Sequence, residues 1–497
     1  MRVRRGRFSI APPVRGASPP SLMRYTPPTT PGLAALFPAL LAALLLSTAC
    51  GRSGGTAEPG GAPTPQRATP PATAPTPSAR NTLTPTFDAA PLYRQMGMLA
   101  RGLPFPLVGR AAFTATATAD TTHVIVALSF ANAALSFARE ADNRFRAGYS
   151  VSVVLTRENA VVAQTDATEQ LLVGAFRETS RIDESIIHQE ILDVTPGRYT
   201  LSVAVRDEGS QRSAREQMTI TVPRLSEGSF STPMPIAEVT PRSTLDAVPL
   251  LLLNPSGTAV VGRDSVLPIY VEAYGDTTRP VRLVIRSERG RALWSDTVRV
   301  QARAGLRSGV VEVPVSRIGI GVAQLTFVRD GGVDSASTFV FVGFGGELPV
   351  ATYEDMLNFL RFFAAPYRLQ RLREASEEER PAAWAAFARE TDTQPETPAH
   401  EEMRLYFARL LRANARFREE GTPGWLADRG RVFISLGDPD QIVEPQVGDF
   451  SRNRQQLWEY RNLNLQLVFY DQTGTGRWRL TQSSEARFEA EFRRRLK

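Results

Sequence analysis

The chain has 497 residues, 42% hydrophobic and 22% charged, with a formal charge of +7, three histidines and one cysteine. That apolar content excludes a wholly disordered or fibrous chain, and the length predicts about three domains. One cysteine excludes an intramolecular disulfide framework, three scattered histidines leave little for a zinc site, and no cofactor or metal is expected.

Residues 1–49 read as a signal peptide. They hold six arginines and no acidic residue, then an apolar run of fourteen residues from Leu33 to Leu46. A membrane-spanning helix needs about 20 apolar residues, and this run is shorter and interrupted by Pro38. Ser47, Thr48 and Ala49 then lead into Cys50, the basic, apolar and small-residue order of a secretory leader. The segment resembles a bacterial lipobox, with Ser47 where leucine is usual. That resemblance implies that Cys50 is lipidated and becomes the mature N-terminus. Met23 would give a more compact start, followed directly by Arg24 and the apolar run.

Removing the leader takes six positive charges from +7 and leaves +1. The basic excess belongs to the leader, so no nucleic-acid partner is expected. The expected partner is a membrane, reached through lipidated Cys50. The expected location is the cell envelope, at the outer membrane facing the periplasm or the cell surface.

From residue 50 to 87 the chain is mostly Gly, Pro, Ala, Thr and Ser, too poor in large apolar groups to offset chain entropy. It is expected to be a disordered tether, with a reach on the order of 100 Å at about 3.1 Å per residue. Residues 88–224 then show short alternating runs, including His123–Leu128, Tyr149–Leu155, Tyr199–Val205 and Met218–Val222. Such runs, with Thr195-Pro196-Gly197 as a turn, predict an immunoglobulin-like β-sandwich behind a short helix. Residues 225–247 read as a linker or edge segment, and 248–345 as a second sandwich. Tyr270, Tyr274 and Trp294 read as core residues more readily than as a ligand platform. His123 and His188 read as ordinary strand residues.

Residues 346–497 switch to helical period and predict an α+β module. Helices are expected at Tyr353–Phe363, from Leu369, from Pro381 and from Pro398 to Arg418, the last burying Leu405, Ala408, Leu411, Ala415 and Phe417. A strand is expected at Arg431–Leu436, ahead of a small antiparallel meander and a last helix from Glu485. The fold class is thus multidomain: two β-sandwiches followed by an α+β module.

The block Gly424-Trp425-Leu426-Ala427-Asp428-Arg429-Gly430-Arg431, followed by Gly437-Asp438-Pro439-Asp440, resembles the GWxTD domain of bacterial envelope proteins. Trp384, Glu401, Trp458, Tyr460 and Asp471 match its outlying positions, and Ala427 stands where the motif has threonine. The family brings no established activity, so two readings stay open. In one, the block is a folding signature joining helices to sheet, within a non-catalytic binding or scaffold protein that takes an envelope protein or glycan. In the other, Asp428, Asp438 and Asp440 form a hydrolytic cleft with Arg429 and Arg431 binding an anion.

Overall fold

The computed structural model describes residues 87–497, apart from 182–184, 276–278, 301, 304–305, 330–333, 346–349, 397–399, 420, 445–453 and 497. The expected leader, Cys50 and all of the expected tether but Phe87 lie outside the described residues.

A short helix, α1 (Ala90–Gln95), leads into β1 (Leu99–Arg101), β2 (Leu107–Ala115) and β3 (Thr122–Ala131). Then follow β4 (Ala138–Arg139), β5 (Phe145–Arg157), β6 (Ala160–Val173), a helical turn α2 (Phe176–Thr179), β7 (Ser185–Val194), β8 (Gly197–Asp207) and β9 (Ser213–Val222). These make two antiparallel sheets, β1-β2-β3-β7 and β4-β5-β8-β9, with β6 also paired to β5. Alternation carries the packing: β5 buries Tyr149, Val151, Val153 and Leu155, and β8 buries Tyr199, Leu201, Val203 and Val205. The Tyr199 hydroxyl donates to the Thr195 carbonyl at 2.8 Å, pinning the turn before β8 in the manner of a tyrosine corner.

The second module holds β10 (Met234–Thr240), β11 (Leu250–Leu253), β12 (Thr258–Val260), β13 (Val266–Tyr274), β14 (Val281–Ser287) and β15 (Ala292–Val298). It continues with β16 (Ala302–Arg303), β17 (Leu306–Pro314), a turn of helix α3 (Val315–Ile318), β18 (Gly321–Arg329) and β19 (Ser335–Gly343). The sheets run β11-β10-β13-β17-β16 and β12-β19-β18-β14-β15, antiparallel except where β12 meets β19. Residues 225–247, read from sequence as a linker, contain β10, which pairs with both β11 and β13. Met234 and Ile236 are buried there, but the Ser, Pro and Thr around them hide the strand.

The last module opens with α4 (Tyr353–Phe359), α5 (Pro366–Glu374), α6 (Arg380–Thr391) and α7 (Glu401–Arg416). Next come α8 (Asp428–Leu436), the meander β20 (Gln441–Val443), β21 (Arg454–Tyr460), β22 (Leu465–Asp471) and β23 (Arg479–Leu480), and α9 (Gln482–Arg495). Two expectations fail here. Arg431–Leu436 is a helix, not a strand, because Asp428 opens it and Gly437, at φ 90°, closes it. The buried face of α7 is Met403, Tyr406, Phe407, Leu410 and Ala413, whereas Leu405 is 53% exposed and Ala408 faces solvent. Of the residues expected on that face, Phe417 is buried and Leu411 half-buried, whereas Leu405, Ala408 and Ala415 are exposed.

A single apolar core runs from Ile269, Leu283 and Phe327 through Leu357, Phe359 and Phe407 to Trp458, Phe469 and Phe488. The expected boundary near residue 345 is therefore no break in packing. Between the two sandwiches, Ala112, Ile125 and Ala127 of the first join Met234, Leu251, Leu253 and Tyr270 of the second. Beside them lies a buried ionic cluster. Arg242 donates to both Glu272 oxygens, at 2.7 and 2.8 Å, and to the Ala115 carbonyl at 2.6 Å. The hydroxyls of Tyr270 and Tyr274 donate to the same carboxylate at 2.6 and 2.7 Å, and Tyr274 accepts from the Ala115 N–H at 2.8 Å. Burial, then the neighbouring carboxylate, raises both phenols above their ordinary value.

Removing one partner of such a pair strands a charge in the interior. Arg242→Met is expected to lower unfolding stability by about 3–5 kcal/mol, read as a lower urea midpoint. An unchanged midpoint would show that the cluster does not hold the sandwiches together.

Candidate functional site

Within the sequence block singled out above, the glycines come first because they decide how closely the chain can approach itself. A β-carbon on Gly424 would lie 2.5 Å from the carbonyl oxygens of Ala413 and Asn414, in the last turns of α7. One on Gly430 would lie 1.8 Å from the Gly424 carbonyl oxygen, so α8 crosses the preceding loop with no room for a side chain. Trp425 is fully buried by this crossing, and its ring contacts Phe87, Phe359 and Phe362 at centroid distances of 6.4, 5.8 and 6.1 Å. The Arg361 guanidinium stacks on it at 5.2 Å. The indole Nε1 has no hydrogen-bond partner among the described residues.

The polar residues of the block point to different places. Asp428, in the first turn of α8, accepts from the Leu480 N–H at 2.9 Å and ties the helix to β23. Arg429 lies over the rings of Trp478, at 4.8 Å, and Phe417, at 5.5 Å. Burial, partly offset by Glu419, pushes its guanidinium down to about 10. Arg431 makes a bidentate pair with Glu485, at 2.6 and 2.8 Å, and reaches Glu489 at 3.2 Å, fastening α8 to α9.

Beyond the helix, Gly437 is buried, and its carbonyl accepts from the Tyr460 hydroxyl at 3.1 Å. Asp438 is half exposed and pairs with Arg412 at 3.1 Å and Arg416 at 3.3 Å, both on α7. Pro439 is partly buried, and Asp440 accepts from the Arg461 N–H at 2.6 Å. Asp428 and the pair Asp438 and Asp440 thus sit at opposite ends of a nine-residue helix, about 13 Å apart at 1.5 Å per residue. The fold brings Asp438 to a group of arginines and separates it from Asp428.

The motif threonine has a physical place here. Ala427, 1% exposed, is the N-cap residue of α8, and no side chain caps that end. A threonine hydroxyl at that position would accept one of the free N–H groups of the first turn.

The other residues weighed from sequence fall in ordinary roles. His123 contacts Asp193, and His188 lies 3.1 Å from Glu190 across one face of β7. Trp294 is half-buried against the core with Arg317 over its ring at 6.0 Å. Among the described residues, one group has metal-type ligands together: Asp392, His400 and Glu402, with ligand atoms within 4.8 Å of one another. Both His400 nitrogens already serve protein contacts, Nδ1 accepting from the Met403 N–H to cap α7 and Nε2 meeting Thr391 Oγ1 at 3.0 Å. Sequence reasoning missed the arginine group on α7, whose signal was the spacing of Arg409, Arg412 and Arg416 along one helix face.

Two substitutions test this account of the block. Gly430→Ala is expected to destabilise the chain by about 3 kcal/mol, at the upper end for overpacking, and Ala427→Thr to stabilise it by about 1 kcal/mol. Thermal melts of both variants check the pair of signs.

No helix among the described residues is long and apolar enough to cross a membrane. No curated protein matches the chain. Among solved structures, the BSP domain of a biofilm associated protein aligns at 8% identity and a TM-score of 0.15, covering 47% of this chain and 51% of that one. A Bifidobacterium dentium beta-glucuronidase complexed with coumarin-3-O-glucuronide aligns at 9% identity and a TM-score of 0.17, covering 44% of this chain and 39% of that one. The chain thus spans about half of the first and two fifths of the second, and scores this low carry no argument. Residues 327–488 match the family model of the GWxTD domain, and the chain carries that domain from β18 to α9.

Proposed function

We propose that this chain is a lipid-anchored, non-catalytic binding or scaffold protein of the cell envelope. The observation that supports the non-catalytic reading is the use of the motif's polar groups. Asp428 serves β23, Arg431 serves α9, Asp438 serves α7 and Asp440 serves the turn after β21. A hydrolytic pair needs two carboxylates facing one substrate across about 5–9.5 Å; α8 separates Asp428 from the other two, and Asp438 and Asp440 are each engaged by protein donors. What remains open to a partner is surface: sandwich loops, strand edges and the outer face of the helices. A protein or glycan partner fits that kind of surface.

The anchoring half rests on Cys50 and the leader before it. Three acyl chains on one cysteine exceed the two-signal requirement for stable membrane attachment. The Pro-rich segment that follows would hold the folded modules clear of the bilayer. We place the protein at the outer membrane, facing the periplasm or the cell surface.

Cys50→Ala is expected to move the expressed chain from the membrane fraction to the supernatant, measured by fractionation and blotting. Membrane association that survives the substitution would overturn the lipid anchor.

A further inference from the structure

The arginines on α7 do more than hold Asp438. Arg409, Arg412 and Arg416 follow one another at helical spacing on one face, with one acid, Asp438, shared by the last two. Arg409 makes no hydrogen bond or ion pair among the described residues. Burial lowers its guanidinium below the ordinary value, and the like charges of Arg495 and Arg412 add to this against the opposing charge of Asp438. Its head group lies over Gly437, which keeps that space open by having no side chain. Half-buried beside two like charges, and with the nearby Asp438 paired to Arg412 and Arg416, this guanidinium keeps its donors open among the described residues, and an anion is favoured there.

The same residue closes one end of a groove of about 460 Å³ between α7, α8, α9 and the turn after α4. Its rim at that end carries Arg494 and Arg495 from the last turn of α9. Their common acid is Glu491, so two cations share one carboxylate. The lining is mixed, and its apolar part is half-buried Phe362, Phe492 and Leu496 together with Leu405, which is 53% exposed. Glu402 precedes Arg409 on α7 by seven residues, about 10 Å at 1.5 Å per residue, so the groove carries opposite charges at separate points along that helix.

We propose that this groove binds a single-chain amphipathic carboxylate, its head group on Arg409 and Arg495 and its apolar body along Phe362, Leu405 and Phe492. The volume lies within the range of small-molecule sites. Glu402 sets the direction, because an anionic head group beside it would meet like charge. The proposal deepens the binding reading and rests on it. It does not use the lipid anchor, so loss of anchoring and loss of groove binding are told apart by fractionation and titration.

The test is calorimetric titration of the purified full chain with three probes below their micellar range. These are dodecanoate, dodecyltrimethylammonium with the same tail and opposite charge, and acetate with the head group alone. Dodecanoate is expected to bind saturably at one site, and the other two not to bind. Arg409→Glu and Arg495→Glu are each expected to weaken it roughly tenfold or more, the loss of a charged hydrogen bond, and Leu405→Ser to weaken it severalfold. Melting curves show whether each variant is folded, and Arg495, on the outer end of α9, carries the test if Arg409→Glu does not fold. Equal binding of the cationic and anionic probes would overturn the proposal, as would dodecanoate affinity unchanged in the folded arginine variants. An acidic peptide that displaces dodecanoate and loses affinity in the same variants would also overturn it, assigning the groove to a protein partner.

Discussion

A carboxylate taken fully out of water must be met by donors on every side, or the fold that buries it is lost. Glu272 is such a group, and the relation of the two sandwiches depends on how it is met. Arg242 supplies two hydrogen bonds and Tyr270 and Tyr274 one each, while Arg242 and Tyr274 also hold the Ala115 backbone of the first sandwich. The cluster thus joins the two modules through one buried carboxylate and the donors around it. A second buried arginine, Arg110 on β2, reaches the Pro255 and Phe339 carbonyls and the Thr338 hydroxyl of the second sandwich. Burial pushes its guanidinium down to about 10, and it is held by neutral oxygens and the Met98 sulfur.

Much of this architecture was legible in the sequence where a period was clean. β5 and β8 alternate strictly, and the structure buries the residues that alternation selects. Legibility failed where two explanations share a pattern. Val432, Phe433 and Ile434 form an unbroken apolar run that suits a buried strand and a buried helix equally. In α7, apolar residues occur on more than one face, so the period fixes a helix but not its phase. Leu405 suits the core in one phase and the surface in the other, and the structure leaves it exposed, lining the groove. The interdomain cluster left a trace that went unread. Tyr270, Glu272 and Tyr274 fall on one face of one strand, an acid between two hydroxyls, a pattern that favours a buried polar site over a solvated one.

The motif was legible as a motif and not as a geometry. Its residues are close in sequence yet face three directions, because a nine-residue helix lies among them. The glycines explain themselves only once the crossing of α8 over the loop is seen. The family match begins at Phe327, inside β18, so the domain defined by sequence includes the last strands of a sheet whose other members lie outside it. The unit of descent and the unit of packing differ here, and the shared core is the reason.

The place where the N-terminal segment joins the body has a mechanical meaning. Phe87 sits on Phe359 and Trp425, and α1 packs Leu92 and Tyr93 with Val322, Phe341 and Val350. Tension arriving along the chain from residue 86 therefore meets side chains of the last two modules before it reaches the core of the first sandwich. The backbone runs through the modules in one order, and the load enters them in another. The first groups to feel such a load are the packed aromatic rings of Phe87, Phe359 and Trp425, not the strands of the first sheet.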